Sequence, residues 1–125
     1  IGGIPVVIAE ADRTLYHAAL AHASNHAVTL IAQARELLQR AGVDAPSEFL
    51  LPLVSASVEG ALRDGDAALT GPVARGDFAT VQAHIDALAE SGAPTDTVSS
   101  YVALARASAE RQHRTWPLQD SESSR

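Results

Sequence analysis

A chain of 125 residues with 46% hydrophobic and 19% charged side chains is one domain, too apolar for disorder and long enough to bury a core. Its net charge of −6 excludes a general affinity for nucleic acid or for an anionic membrane surface, both of which need a basic face. It has no cysteine, and all nine of its cations are arginine, so thiol nucleophiles, thiolate zinc sites, disulfides, amine bases and Schiff bases are excluded.

The sequence starts without methionine, at Ile1-Gly2-Gly3-Ile4-Pro5, and continues into Val6-Val7-Ile8. That β-branched run is typical of a buried strand, yet no second strand follows to pair with it. Residues 1–8 therefore read as the end of a preceding domain or a linker. Residues 9–113 read as an all-α domain built on one long central helix. From Ala9 to Ala41 there is neither proline nor glycine. At 100° per residue, Tyr16, Leu20, Ala23, Ala27, Leu30, Ile31, Ala34 and Leu38 share one apolar arc. Gly42 should end this helix.

A second helix is expected from Asp44-Ala45-Pro46-Ser47 to about Asp64, bent or divided at Pro52 and closed by Gly65. The connection Ala67–Asp77 is tight, with room for one helical turn from Pro72. Asp77 should cap a third helix through Ser91, burying Val81, Ile85 and Leu88. After Gly92-Ala93-Pro94, Thr95 or Asp96 should cap a fourth helix reaching about His113 and burying Val98, Tyr101, Val102 and Ala105. Residues 114–125 read as a polar, flexible tail with Trp116 as its one anchor. No run is long enough to span a membrane, and no segment reads as a signal peptide. A reducing, cytoplasmic setting is expected.

Four groups of residues invite a chemical reading. His22 and His26, at i and i+4, can present two imidazoles to a metal, but no third ligand stands nearby, and they read as a solvated helix face with no metal. Arg75-Gly76-Asp77 joins two helices and reads as a connection, not an adhesion signal. His17, Ser24 and Asn25 lie on one side of the first helix. A histidine exchanges protons near neutral pH and an asparagine can orient a substrate oxygen, although the same cluster suits a polar contact between helices. Thr70-Gly71-Pro72 with Arg75 offers a turn and a planar cation, and His84 adds a titratable group on the third helix.

The spacing of these pieces resembles a known family. Gly2-Gly3-Ile4-Pro5, Arg13, Tyr16-His17-Ala18-Ala19 and Ser24-Asn25 are followed by Ala68-Leu69-Thr70-Gly71-Pro72, Arg75-Gly76-Asp77, Val81, His84 and Tyr101. The pattern is similar to the C-terminal DUF2520 domain of proteins that begin with a Rossmann-like domain. The resemblance implies a helical domain like those of 6-phosphogluconate dehydrogenase and ketopantoate reductase. It also implies a homodimer and an N-terminal Rossmann domain that holds NAD(P) in the parent polypeptide. In such relatives the first helix brings a lysine and asparagines to the substrate; here His17 and Asn25 occupy that stretch. On this reading His17 is the proton donor or acceptor and Asn25 orients the substrate oxygen. Ser24, Thr70, Arg75 and His84 bind substrate. The expected role is the substrate-side and dimerisation half of an oxidoreductase, with a non-catalytic dimerisation module as the alternative.

Overall fold

The computed structural model describes residue 3 and residues 6–119, so most of the Gly2–Pro5 motif and the last six residues lie outside the described residues. A 3₁₀ turn, Glu10–Asp12, leads into α1 (Arg13–Arg40). α2 (Pro46–Asp64), a second 3₁₀ turn (Gly65–Ala68), α3 (Phe78–Glu90) and α4 (Thr95–Arg111) follow. The architecture is all-α, as expected. Val6–Ile8 forms no strand. A strand needs a hydrogen-bonded neighbour, none exists among the described residues, and Val7 is 98% exposed.

Each helix end has a local cause. Gly42, at φ +91°, closes α1: its N–H bonds to Gln39 O at 3.1 Å and the N–H of Val43 bonds to Leu38 O at 2.9 Å. Those two bonds satisfy carbonyls that the last turn would otherwise leave open. α2 runs unbroken through Pro52 rather than dividing there. The ring removes one intrahelical bond, and because Pro52 is exposed, water can satisfy the freed carbonyl. Beyond Gly65 the second 3₁₀ turn folds back on α2, where buried Gly60 leaves room for the methyl of Ala68. α4 starts one residue earlier than a Thr95 or Asp96 cap would require. Pro94 is its boundary residue, its carbonyl accepting from Thr97 N at 3.0 Å, and no side chain caps this end. Thr95 and Asp96 already belong to the first turn, where an acidic side chain complements the helix dipole.

The core lies between α3 and α4. Val81 is fully buried and packs with Val73, Ala105 and Ala109, with Phe78, Ile85, Tyr101, Trp116 and Leu118 around it. The alanines of α4 let α3 approach closely. Residues 114–119, at the start of the segment expected to be a tail, pack against this core. The Trp116 ring meets Phe78 edge-on at 5.9 Å, and the Arg114 guanidinium bonds the Ala74 carbonyl through Nε at 3.2 Å and Nη2 at 2.8 Å. Gly76 is needed for that clasp, since a Cβ there would lie 2.6 Å from Arg114 Nη1.

α1 is tied to the rest only along its second half. Gln33 donates to Ser100 Oγ and Arg40 to Ser91 O, both at 3.2 Å, while Ile31 and Arg35 face Leu50 and Val54 of α2. The expected apolar arc is half-buried from Ala27 onward, apart from exposed Leu30, whereas Tyr16 and Leu20 are exposed. The surface area follows from this: 9493 Å², against about 6,300 Å² for a compact monomer of this mass.

Val81→Ala should destabilise the chain by about 2–3 kcal/mol in chemical denaturation, through lost burial plus the cavity left behind. Val7→Ser, at a position 98% exposed and outside α1 and α2, should change stability by less than about 0.5 kcal/mol. Equal effects of the two would contradict the location of the core.

Candidate functional site

The connection from Leu69 to Asp77 is folded by its own backbone. Arg75 N bonds to Gly71 O at 3.2 Å, Gly76 N to Val73 O at 3.0 Å and Asp77 N to Pro72 O at 2.8 Å. These bonds wind the helical turn expected from Pro72, and Gly71 (φ +89°) and Gly76 (φ +71°) take the left-handed torsions at its two ends. Asp77 then caps α3 as expected, accepting from Thr80 Oγ1 at 2.6 Å and Thr80 N at 3.2 Å. Those hydrogen bonds, from the hydroxyl first and the amide second, hold the Asp77 carboxyl below its ordinary 3.8, and the Arg75 guanidinium adds to the effect.

This folded connection forms one wall of an open-mouthed cavity of about 420 Å³, flanked by Leu30 of α1 and by Tyr101 and Leu104 of α4. Thr70 and His84, two of the residues expected to bind substrate, both line it. His84 Nδ1 lies 2.8 Å from the Tyr101 hydroxyl, and burial pushes the Tyr101 pKa up, which keeps the phenol protonated at neutral pH. Arg75 is exposed on the outer side of the connection, away from the cavity wall. Thr70 also borders a second, more polar cavity of about 460 Å³, where Arg111 pairs with Asp66 at 3.1 Å.

The α1 group stands apart from this cavity. His17, Ser24 and Asn25 are exposed, and Ser24 Oγ donates to Leu20 O at 2.6 Å. His17 lies thirteen positions before Leu30, about 20 Å along the helix and roughly 140° around it. Within one chain the two motifs do not meet. His22 and His26 do meet, Nδ1 to Nδ1 at 2.6 Å, on the same exposed half of α1. Among the described residues no set of three His, Asp or Glu side chains is placed to hold a metal.

Sequence reasoning missed Tyr101 as a site residue. Its ring belongs to the buried stripe with Val98, Val102 and Ala105, and that apolar role hides the hydroxyl at its tip. The available signal was a phenol within an otherwise aliphatic stripe, because a half-buried tyrosine hydroxyl needs a partner.

The family model described as a domain of unknown function, DUF2520, matches residues 1–108. The chain belongs to the DUF2520 family. No curated protein and no solved structure matches it. The matched span of the DUF2520 domain takes in α1, α2, α3, the cavity-forming connection and most of α4. None of its described helices is long and apolar enough to cross a membrane.

Asp77→Ala should lower the thermal midpoint, with Asp77→Asn keeping most of it. The depressed carboxyl pKa sets the sign. The stabilisation is present above the unfolded value of 3.8 and is lost as pH falls through the lower folded value. The gap between wild type and Asp77→Ala should therefore be wide at neutral pH and close in acid. A gap that widens in acid would contradict the capping geometry.

Proposed function

We propose that this chain is the substrate-side and dimerisation domain of an NAD(P)-dependent oxidoreductase, acting in the cytoplasm as a homodimer beside a Rossmann domain of the same polypeptide. The observation that carries the reading is apolar surface left open on two helices. On α2, Phe49, Leu51, Leu53, Val58 and Leu62 are 51–84% exposed, and on α1 Leu15, Leu20 and Val28 are 51–71% exposed. A helix that is apolar on most of its circumference is ordinarily buried. None of the other described elements covers these α2 side chains, so a second copy is the occupant proposed, in a symmetric helix-on-helix contact. The relationship to the helical domains of 6-phosphogluconate dehydrogenase and ketopantoate reductase that the sequence resemblance implies would fit the same assignment.

The cofactor falls to the Rossmann domain. Glu10 and Asp12 immediately precede α1, where they oppose the binding of a pyrophosphate, and the chain carries no glycine-rich dinucleotide fingerprint. His17, Ser24 and Asn25 occupy the exposed half of α1, on surface available to a second domain or copy. Thr70 and His84 face the cavity between the α1 midpoint and the α3–α4 pair. The separation of these two groups within one chain favours a second reading, a dimerisation module without chemistry.

Sedimentation at micromolar concentration should give a particle of twice 13.0 kDa, and Leu53→Asp with Leu62→Asp should return it to 13.0 kDa. A 13.0 kDa particle for the unaltered chain would remove the dimer. Reduced nicotinamide cofactor titrated against the polypeptide joined to its Rossmann domain separates the two functional readings. Quenched or enhanced cofactor fluorescence supports the oxidoreductase, and no change with either NADH or NADPH leaves the module.

A further inference from the structure

The cavity beside Leu30 has no charged wall. Among the described residues lining it, none is Asp, Glu, Lys or Arg. Leu30, Leu69, Val73 and Leu104 make its sides aliphatic, and its polar groups include the Thr70 hydroxyl and the hydrogen-bonded His84–Tyr101 pair. At about 420 Å³ it falls in the size range of small-molecule sites, with room for roughly ten to fourteen non-hydrogen atoms.

We propose that this cavity binds an uncharged, mainly aliphatic molecule carrying one carbonyl or hydroxyl oxygen, which the His84–Tyr101 pair receives. The bond between the two side chains uses Nδ1 of His84 and one role of the phenol. Nε2 of the imidazole and the second role of the phenol oxygen remain for a ligand. A ligand without any oxygen would leave those positions desolvated and unbonded. A carboxylate or phosphate would give up part of its hydration against aliphatic sides that hold no arginine or lysine. The nearby guanidiniums do not change this: Arg75 lies off the cavity wall, and Arg111 opens on the neighbouring cavity already paired with Asp66.

The ligand proposed is thus neutral, although the planar cation of Arg75 that the sequence sets near Thr70 is of a kind that suits an anion. The proposal deepens the substrate-side reading by naming a substrate class. It rests on that reading for the reaction alone, since binding needs no cofactor.

Amide NMR titration of the 125-residue chain with 2-octanone and with octanoate tests the proposal. 2-Octanone should shift the amides of Thr70, His84 and Leu104 saturably, with a Kd of about 1 mM. Octanoate should bind about tenfold more weakly or not at all. Tyr101→Phe and His84→Ala should each weaken 2-octanone about three- to tenfold. His84 is exposed, so its replacement leaves the fold intact, and phenylalanine keeps the packing of the Tyr101 ring.

Several results would overturn the proposal: equal binding of octanoate, variants within about twofold of wild type, or shifts confined to α2. So would loss of 2-octanone binding as the chain self-associates, which would assign the cavity to a second copy. Saturable binding of 2-octanone by a chain whose parent fails to bind nicotinamide would support this site while removing the oxidoreductase reading.

Discussion

Apolar surface that the chain cannot cover by itself governs the rest of this structure. Its one dense cluster, around Val81, is built from α3, α4 and the connection before them, and small residues fill much of it. The two longest helices stand largely outside that cluster. α1 spans 28 residues, about 42 Å, and its first half meets little else. α2 carries five large apolar side chains in the open. Burying a leucine or phenylalanine is worth about 1.5–3 kcal/mol, so these faces hold a large free-energy reserve for association. The proposed second copy would complete a fold of this kind.

The same constraint separates the parts of the molecule by function. The α3–α4 pair holds the dense cluster and contributes the His84–Tyr101 pair to the cavity. The clasp of Arg114 on Ala74 and the Asp77 cap hold the connection that forms the cavity wall. In the proposed assembly α1 and α2 serve recognition, and the cavity serves the ligand. His17, Ser24 and Asn25, exposed on the open half of α1, belong to the first part by position.

Much of the fold was legible because its signals are local. Gly42 and Asp77 each act within one turn, and both do what their residue types dictate. The period of Val81, Ile85 and Leu88 places the buried side of α3 directly. Local rules failed where a neighbour or solvent decided the outcome. Pro52 does not divide α2, because an exposed carbonyl can bond to water. The apolar arc of α1 gives no sign that only its second half meets the rest of the fold.

The site was legible in part. Thr70 and His84 line one cavity, although they are fourteen positions apart on different elements. Tyr101 was not legible as their partner, since its bond to His84 depends on the register between α3 and α4. Arg75 looked suited to a ligand by residue type, but the backbone bonds of its turn leave it off the cavity wall. His17 is a matter of helix geometry: thirteen residues of rigid helix separate it from the level of the cavity.

The central claim is that the open faces of α1 and α2 are covered in the working molecule. Amide hydrogen exchange along the chain, measured across a range of chain concentrations, tests it most directly. The account predicts that protection in α1 residues 13–26 and in α2 rises with concentration while the Val81 region stays constant. Protection of α1 and α2 that is independent of concentration, alone and beside the proposed Rossmann domain, would contradict it.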